Sequence, residues 1–107
     1  MIDRLSEIMI TYEITATVQA ELIESYENYM IDRHIPHLME TGCFATAIFS
    51  RNNARYRIRY EAHDREALSR YLKEHASRLR DDFADHFPTG IELSRDTWDV
   101  LTAFYSE

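Results

Sequence analysis

The stretch Asp32-Arg33-His34-Ile35-Pro36-His37-Leu38-Met39-Glu40-Thr41-Gly42-Cys43-Phe44 decides how the chain is read, because it can be a reactive site, a metal clip or a helix giving way to a strand. Pro36 has no backbone hydrogen to donate and disfavours the helical conformation at Ile35, so a helix arriving from upstream should break or kink near His34. A short helical turn then runs to Thr41. Gly42 suits the residue just past a helix end, where a left-handed conformation costs glycine little. Read this way, the segment is a helix–kink–turn–strand junction. As a metal clip it offers His34, His37 and Glu40, but Pro36 interrupts the pair and no third histidine or cysteine ligand follows, so no metal site is expected. Cys43 is either a nucleophile whose thiol a nearby histidine activates or a small buried hydrophobe.

Upstream, Ile10, Tyr12, Ile14, Ala16 and Val18 alternate with Thr11, Glu13, Thr15 and Thr17, the period of a half-buried strand over Met9 to Val18. From Ala20 to about Arg33 the apolar positions Ile23, Tyr26, Met30 and then His34 recur at steps of three and four, which predicts a helix. Downstream, Cys43 to Ser50 and Arg55 to His63 read as two strands of a hairpin turning at Asn52-Asn53. Asp64 is a good N-cap for a second helix whose stripe runs from Leu68 through Tyr71, His75, Leu79 and Phe83 to Phe87. Pro88-Thr89-Gly90 ends it. Ile91 to about Phe104 reads as a fourth strand with a bend or bulge near Ser94-Arg95-Asp96.

The order is βαββαβ. Right-handed crossovers then favour an α+β, ferredoxin-like fold, a four-stranded antiparallel sheet with two helices on one face. Residues 1–8 show no period and are expected to be a tail, with translation starting at Met1 or Met9; residues 9–107 are expected to form a single domain. If the Ile10/Tyr12 and Tyr56/Ile58 parities meet the helices, Glu13, Arg57 and Arg59 lie on the opposite face, where Glu13 can pair with an arginine across the strands. On the fourth strand both parities are apolar, Trp98 and Phe104 on one and Leu101 and Tyr105 on the other. A second copy of the chain packed on the helix-free face would cover the surplus, which makes a homodimer the expected assembly.

With 107 residues, 45% of them hydrophobic, the chain can build a real core without disulfides or metals. Its 12 basic residues against 19 acidic ones give a net charge of −7, which opposes nucleic-acid binding. No apolar run reaches the ~18 residues of a membrane span. The single cysteine and the charged first ten residues point to a cytoplasmic protein.

His34-Ile35-Pro36-x-x-Met39-x-Thr41-Gly42-x-Phe44, Tyr71-Leu72-x-x-His75-Ala76-x-x-Leu79-Arg80 and Trp98-x-Val100-Leu101 together resemble a family of small uncharacterised bacterial proteins. That family is similar to the dimeric α+β barrel superfamily, and the resemblance spans about Met9 to Leu101. It implies a ferredoxin-like subunit, a dimer, and a cavity between sheet and helices, with no established activity. Members often carry a tryptophan on the first helix where this chain has Tyr26 and Tyr29. The superfamily includes cofactor-free monooxygenases, isomerases, haem enzymes and ligand-sensing modules, too wide a range for fold alone to select from.

The candidate chemistry gathers in the expected interior. His34 ends the first helical stripe, where it can satisfy a backbone carbonyl or act as a catalytic acid or base. Tyr12, Tyr56 and Tyr60 share the helix-facing parity of two neighbouring strands, Tyr26 and Tyr71 face them from the helices, and His75 lies one turn after Tyr71 on the same stripe. Either these groups hydrogen-bond one another in a closed core, or they line a ligand pocket. The sequence thus predicts an uncharacterised domain binding a small molecule between sheet and helices. The alternative is a cofactor-independent monooxygenase or isomerase in which His34 moves a proton on an aromatic or enolisable substrate. No cofactor motif is present, and the residues leave open whether the protein is an enzyme.

Overall fold

A computed structural model describes residues 9–106. The expected tail over residues 1–8 lies outside the described residues, as does Glu107. The elements are β1 (Ile10–Val18), a 3₁₀ turn (Ala20–Leu22), α1 (Ile23–Tyr29), a π turn (Met30–His34), α2 (Ile35–Glu40), β2 (Phe44–Asn52), β3 (Arg55–Ala62), α3 (Arg65–Glu74), α4 (Ala76–His86) and β4 (Ile91–Asp99). The strands form one antiparallel sheet in the order β2-β3-β1-β4, with the helices on one face.

The alternation in β1 sorts its side chains as the pattern predicts. Ile10, Tyr12, Ile14, Ala16 and Val18 are buried beneath the helices. The first four of these lie opposite Ala62, Tyr60, Ile58 and Tyr56 of β3, all buried too. On the helix-free face Glu13 lies opposite Arg59 and pairs with it at 3.5 Å. Beside that pair Thr11 donates to Glu61 at 2.6 Å, and the Thr15 and Ser94 hydroxyls meet at 2.9 Å, each a direct cross-strand partner.

Four details differ from the sequence reading. The first helix does not break at Pro36: Ile35 keeps helical dihedrals, and its N–H reaches back five residues to the Met30 carbonyl. The wide turn over Met30–His34 departs from the regular hydrogen-bond ladder just where the proline ring would crowd it, so the chain stays helical through to Glu40. The second helix, expected to be continuous, is interrupted at His75, whose dihedrals leave the helical basin although its N–H still bonds to the Tyr71 carbonyl. β4 carries no bulge; it pairs with β1 in unbroken register from Ile91 opposite Val18 to Asp99 opposite Ile10, and no strand continues to Phe104. The β2–β3 turn falls on Asn53-Ala54 rather than Asn52-Asn53, with Asn53 at φ +58°, a left-handed conformation that asparagine tolerates.

The irregularity expected in β4 sits instead in β2, between Phe44 and Thr46. The extra residue reverses the side-chain parity, so Phe44 joins Ala47 and Phe49 on the helix-facing side. Phe44 thereby packs between Tyr60, with ring centroids 5.2 Å apart, and Tyr71, edge-on at 5.0 Å. Asp64 caps α3 as expected, its carboxylate accepting from the Ala67 N–H at 2.7 Å. Gly42 follows α2 at φ +77°. Gly90, at φ +94°, brings the start of β4 so close to the first helix that a Cβ there would lie 2.4 Å from Leu22. No helix among the described residues is long and apolar enough to cross a membrane.

Candidate functional site

Between the sheet and the helices lies a cavity of about 190 Å³. Its inner wall is Tyr12, Ile14 and Ile58 from the sheet and Tyr26, Met30 and His34 from the first helical rod. Each of these is buried. Its outer wall is formed by α3, α4 and β4, where the exposed Arg80 and Arg95 mark the mouth.

The π turn sets His34. By holding one residue more than an α turn, it lets both Tyr29 and His34 turn inward, and the two rings stack at 5.6 Å. The His34 Nδ1 lies 3.5 Å from the Tyr29 hydroxyl, which donates to Asp82 Oδ2 at 2.7 Å. Since that proton is committed to Asp82, the contact is productive only with Nδ1–H as donor, an assignment that leaves Nε2 as the ring's free lone pair. Asp82 is held in turn by Arg33, through Nε at 2.8 Å and Nη2 at 2.9 Å. The result is a chain from His34 through Tyr29 to an arginine-clamped carboxylate, joining the π turn to α4.

Burial pushes His34 down to about 4; the negative charge of Asp82 opposes the shift, and His37 and Arg95 add to it. The imidazole is neutral at pH 7. Hydrogen bonds from Arg33 and Tyr29 hold the Asp82 carboxyl far below its ordinary range. Burial, reinforced by Asp82, pushes the Tyr29 phenol up.

The residues expected to form the site separate. Tyr12, Tyr26 and His34 share the cavity. The Tyr12 hydroxyl accepts from Arg80 at 3.0 Å. The Tyr26 hydroxyl is buried without a partner among the described residues. Tyr60 is fully buried behind Tyr12, packed against Phe44, and its hydroxyl is likewise unpartnered. Tyr56 points its hydroxyl at Glu27, 2.6 Å away on α1, and Arg51 joins that carboxylate at 2.9 Å. His75 lies at the break between α3 and α4, half-exposed, with Nδ1 2.9 Å from Arg78 Nη2, in a surface groove shared with His37 and Glu40. It is not one of the cavity's lining residues. Cys43 is fully buried beside Thr41.

Two site residues escape the sequence reading. Arg80 was visible only as part of the second-helix motif, and nothing in the stripe signals its reach to Tyr12. Arg95 falls in the expected bend of the fourth strand; the unbroken β4 gives it the parity of Leu93 and Ile91, and so a direction toward the helices.

This architecture, a four-stranded antiparallel sheet with its helices packed on one face, defines a ferredoxin-like α+β domain. The chain belongs to the family called domain of unknown function DUF4286, whose model matches residues 9–100. No curated protein sequence matches it significantly. Among solved structures it is similar to MupZ from Pseudomonas fluorescens, with a TM-score of 0.67 and 11% identity over 91% of this chain and 69% of that one. It is also similar to a conserved protein from Methanosarcina mazei Go1, at 0.63 and 12%, covering 86% and 94% of the two chains. A third is a conserved protein of unknown function from Bacteroides thetaiotaomicron VPI-5482, described as a possible oxidoreductase, at 0.68 and 10%, covering 87% and 98%. At such identities the likeness is one of fold.

Proposed function

We propose that this protein is a homodimeric α+β barrel domain that binds a small molecule in the cavity between its sheet and helices. The observation that carries the reading is the space itself: an unfilled, mainly apolar cavity of about 190 Å³ that reaches both His34 and Tyr12. Protein interiors are normally packed to crystal density, and a void of this size is large enough for a benzene-sized ring. A few polar groups on an otherwise apolar lining are what fixes the orientation of a small ligand.

The dimer is supported by the surface. Trp98 and Ile48 stand exposed on the helix-free face, and Leu101, Phe104 and Tyr105 are exposed beyond β4. A second copy seated on that face would remove these side chains from water at about 25 cal/mol per Å² of apolar area.

A second reading, proton transfer, is favoured by one specific feature, the His34–Tyr29–Asp82 chain. A neutral His34 with Nε2 free can accept a proton from an enolisable or phenolic substrate, and the imidazolium so formed is steadied through Tyr29 by Asp82. Returning that proton to another atom is isomerisation; reaction of the carbanion with dioxygen is cofactor-independent oxygenation, in keeping with the oxidoreductase description given to the Bacteroides protein.

The test is a ligand-stabilisation screen of small aromatic and enolisable compounds, repeated on His34→Gln. Compounds that raise the melting temperature of both proteins support binding, while turnover present in the parent and absent from a folded H34Q dimer supports proton transfer. A screen without a stabilising compound, together with a cavity that xenon does not enter, rejects both.

A further inference from the structure

Resting on the cavity-binding reading, we infer that the ligand is an organic anion, a small aromatic or branched carboxylate whose charged end is held by Arg80 and Arg95 at the cavity mouth. The two guanidinium groups arrive from different elements, α4 and β4, yet line the same space. Among the described residues, no aspartate or glutamate lines it. The five ion pairs among the described residues involve Arg33, Arg51, Arg59, Arg65 and His86. Arg80 and Arg95 belong to none of them. In a chain with net charge −7, two unpaired arginines facing one apolar cavity are a local reversal of sign.

Geometry sharpens the point. Arg80 donates Nη2 to the Tyr12 hydroxyl at 3.0 Å, which braces the guanidinium against the sheet while leaving its other N–H groups available. Arginine is the side chain suited to two-point recognition of a carboxylate. The walls behind it, Ile14, Ile58, Met30 and Phe83, offer no charge. A ligand fitting this space has a carboxylate outside and a compact apolar body inside, and 190 Å³ accommodates one ring rather than a nucleotide or an acyl chain.

Benzoate, benzamide and benzene test this, because the first two share shape and differ in charge while the third asks only whether the cavity opens. Binding is followed on full-length protein by titration, with the perturbed methyl groups of Met30 and Ile58 locating the probe. The expected result is that benzoate binds at least tenfold more tightly than benzamide. That preference should shrink at high salt and fall to about unity in Arg80→Gln and Arg95→Gln, each checked for native fold by its circular dichroism. Equal binding of benzoate and benzamide, or a benzoate preference untouched by either substitution, overturns the anion inference. Entry of benzene without benzoate overturns it too but leaves the cavity reading standing. Exclusion of all three probes overturns both.

Discussion

The Tyr29 hydroxyl sits between two groups of opposite character, donating to Asp82 at 2.7 Å and standing 3.5 Å from the His34 ring. It therefore couples a buried imidazole to a carboxylate that Arg33 holds at the protein surface, and two acid-sensitive groups share one short chain of contacts.

For His34, burial lowers the native pKa from 6.5 to about 4. Between those values the unfolded chain binds more protons than the native one, so stability is full above pH 6.5 and falls as the pH drops toward 4. The slope approaches about 1.4 kcal/mol per pH unit in the middle of that window. Urea midpoints at pH 7.5 and 5 measure it; the His34→Gln variant should show a clearly shallower loss, and an unchanged slope would dismiss the buried neutral ring.

Asp82 acts lower on the scale. Its native pKa is depressed from 3.8, so its contribution is present above the ordinary carboxylate value and is lost as the pH falls through the native one. Asp82→Asn should cost about 1–2 kcal/mol at pH 7, because the clamp is charge-assisted yet partly exposed. The penalty should shrink progressively as the pH falls below 4. Chemical denaturation across pH 2–7 checks both statements, and a penalty as large at pH 2 as at pH 7 would mean the side chain stabilises by shape alone.

Tyr60 carries a hydroxyl buried without a partner among the described residues. Tyr60→Phe should leave the packing against Tyr12 and Phe44 intact and raise stability by up to about 1 kcal/mol, since it removes a desolvated polar atom. Thermal melts decide the sign. A drop of 1 kcal/mol or more would reveal an internal water serving that oxygen.

Trp98 is the chain's single tryptophan and is 52% exposed on the helix-free face. If a second copy covers it, sedimentation should give twice the 12.7 kDa chain mass, with blue-shifted fluorescence. Trp98→Glu should yield a folded monomer. A parent protein monomeric at high concentration would remove the dimer from the proposal.

What the sequence made legible follows the physics of repetition. The strict alternation of Ile10 to Val18 and of Tyr56 to Ala62 specifies faces and neighbours, because a one-residue slip would invert every side chain, and both strands fall as read. Caps are equally local, so Asp64 and Gly42 were readable from their neighbours alone. The misreadings come where tertiary context overrules a local preference. Pro36 is tolerated because a wide turn precedes it, and β2 rather than β4 takes the bulge because Phe44 is wanted in the aromatic core. Within the site, Tyr12, Tyr26 and His34 were legible from parity and stripe. Tyr56, Tyr60 and His75 share those patterns but end beside Glu27, Phe44 and Arg78, since periodicity gives a direction and not the reach of a side chain. Arg80 and Arg95 were hidden for the opposite reason: charged residues at a rim look like any solvated surface.

The wide turn at Met30–His34 amounts to a one-residue length surplus stored in the first helix. Deleting an exposed neighbour such as Ile31 would let the ladder close into a regular α-helix, rotating Tyr29 and everything before it by about 100° against His34. The imidazole would then lose either its phenol or its view of the cavity. The spacing between β1 and β2 is thus itself a determinant of how the cavity is lined, and an indel there would act on that lining as sharply as a substitution within it.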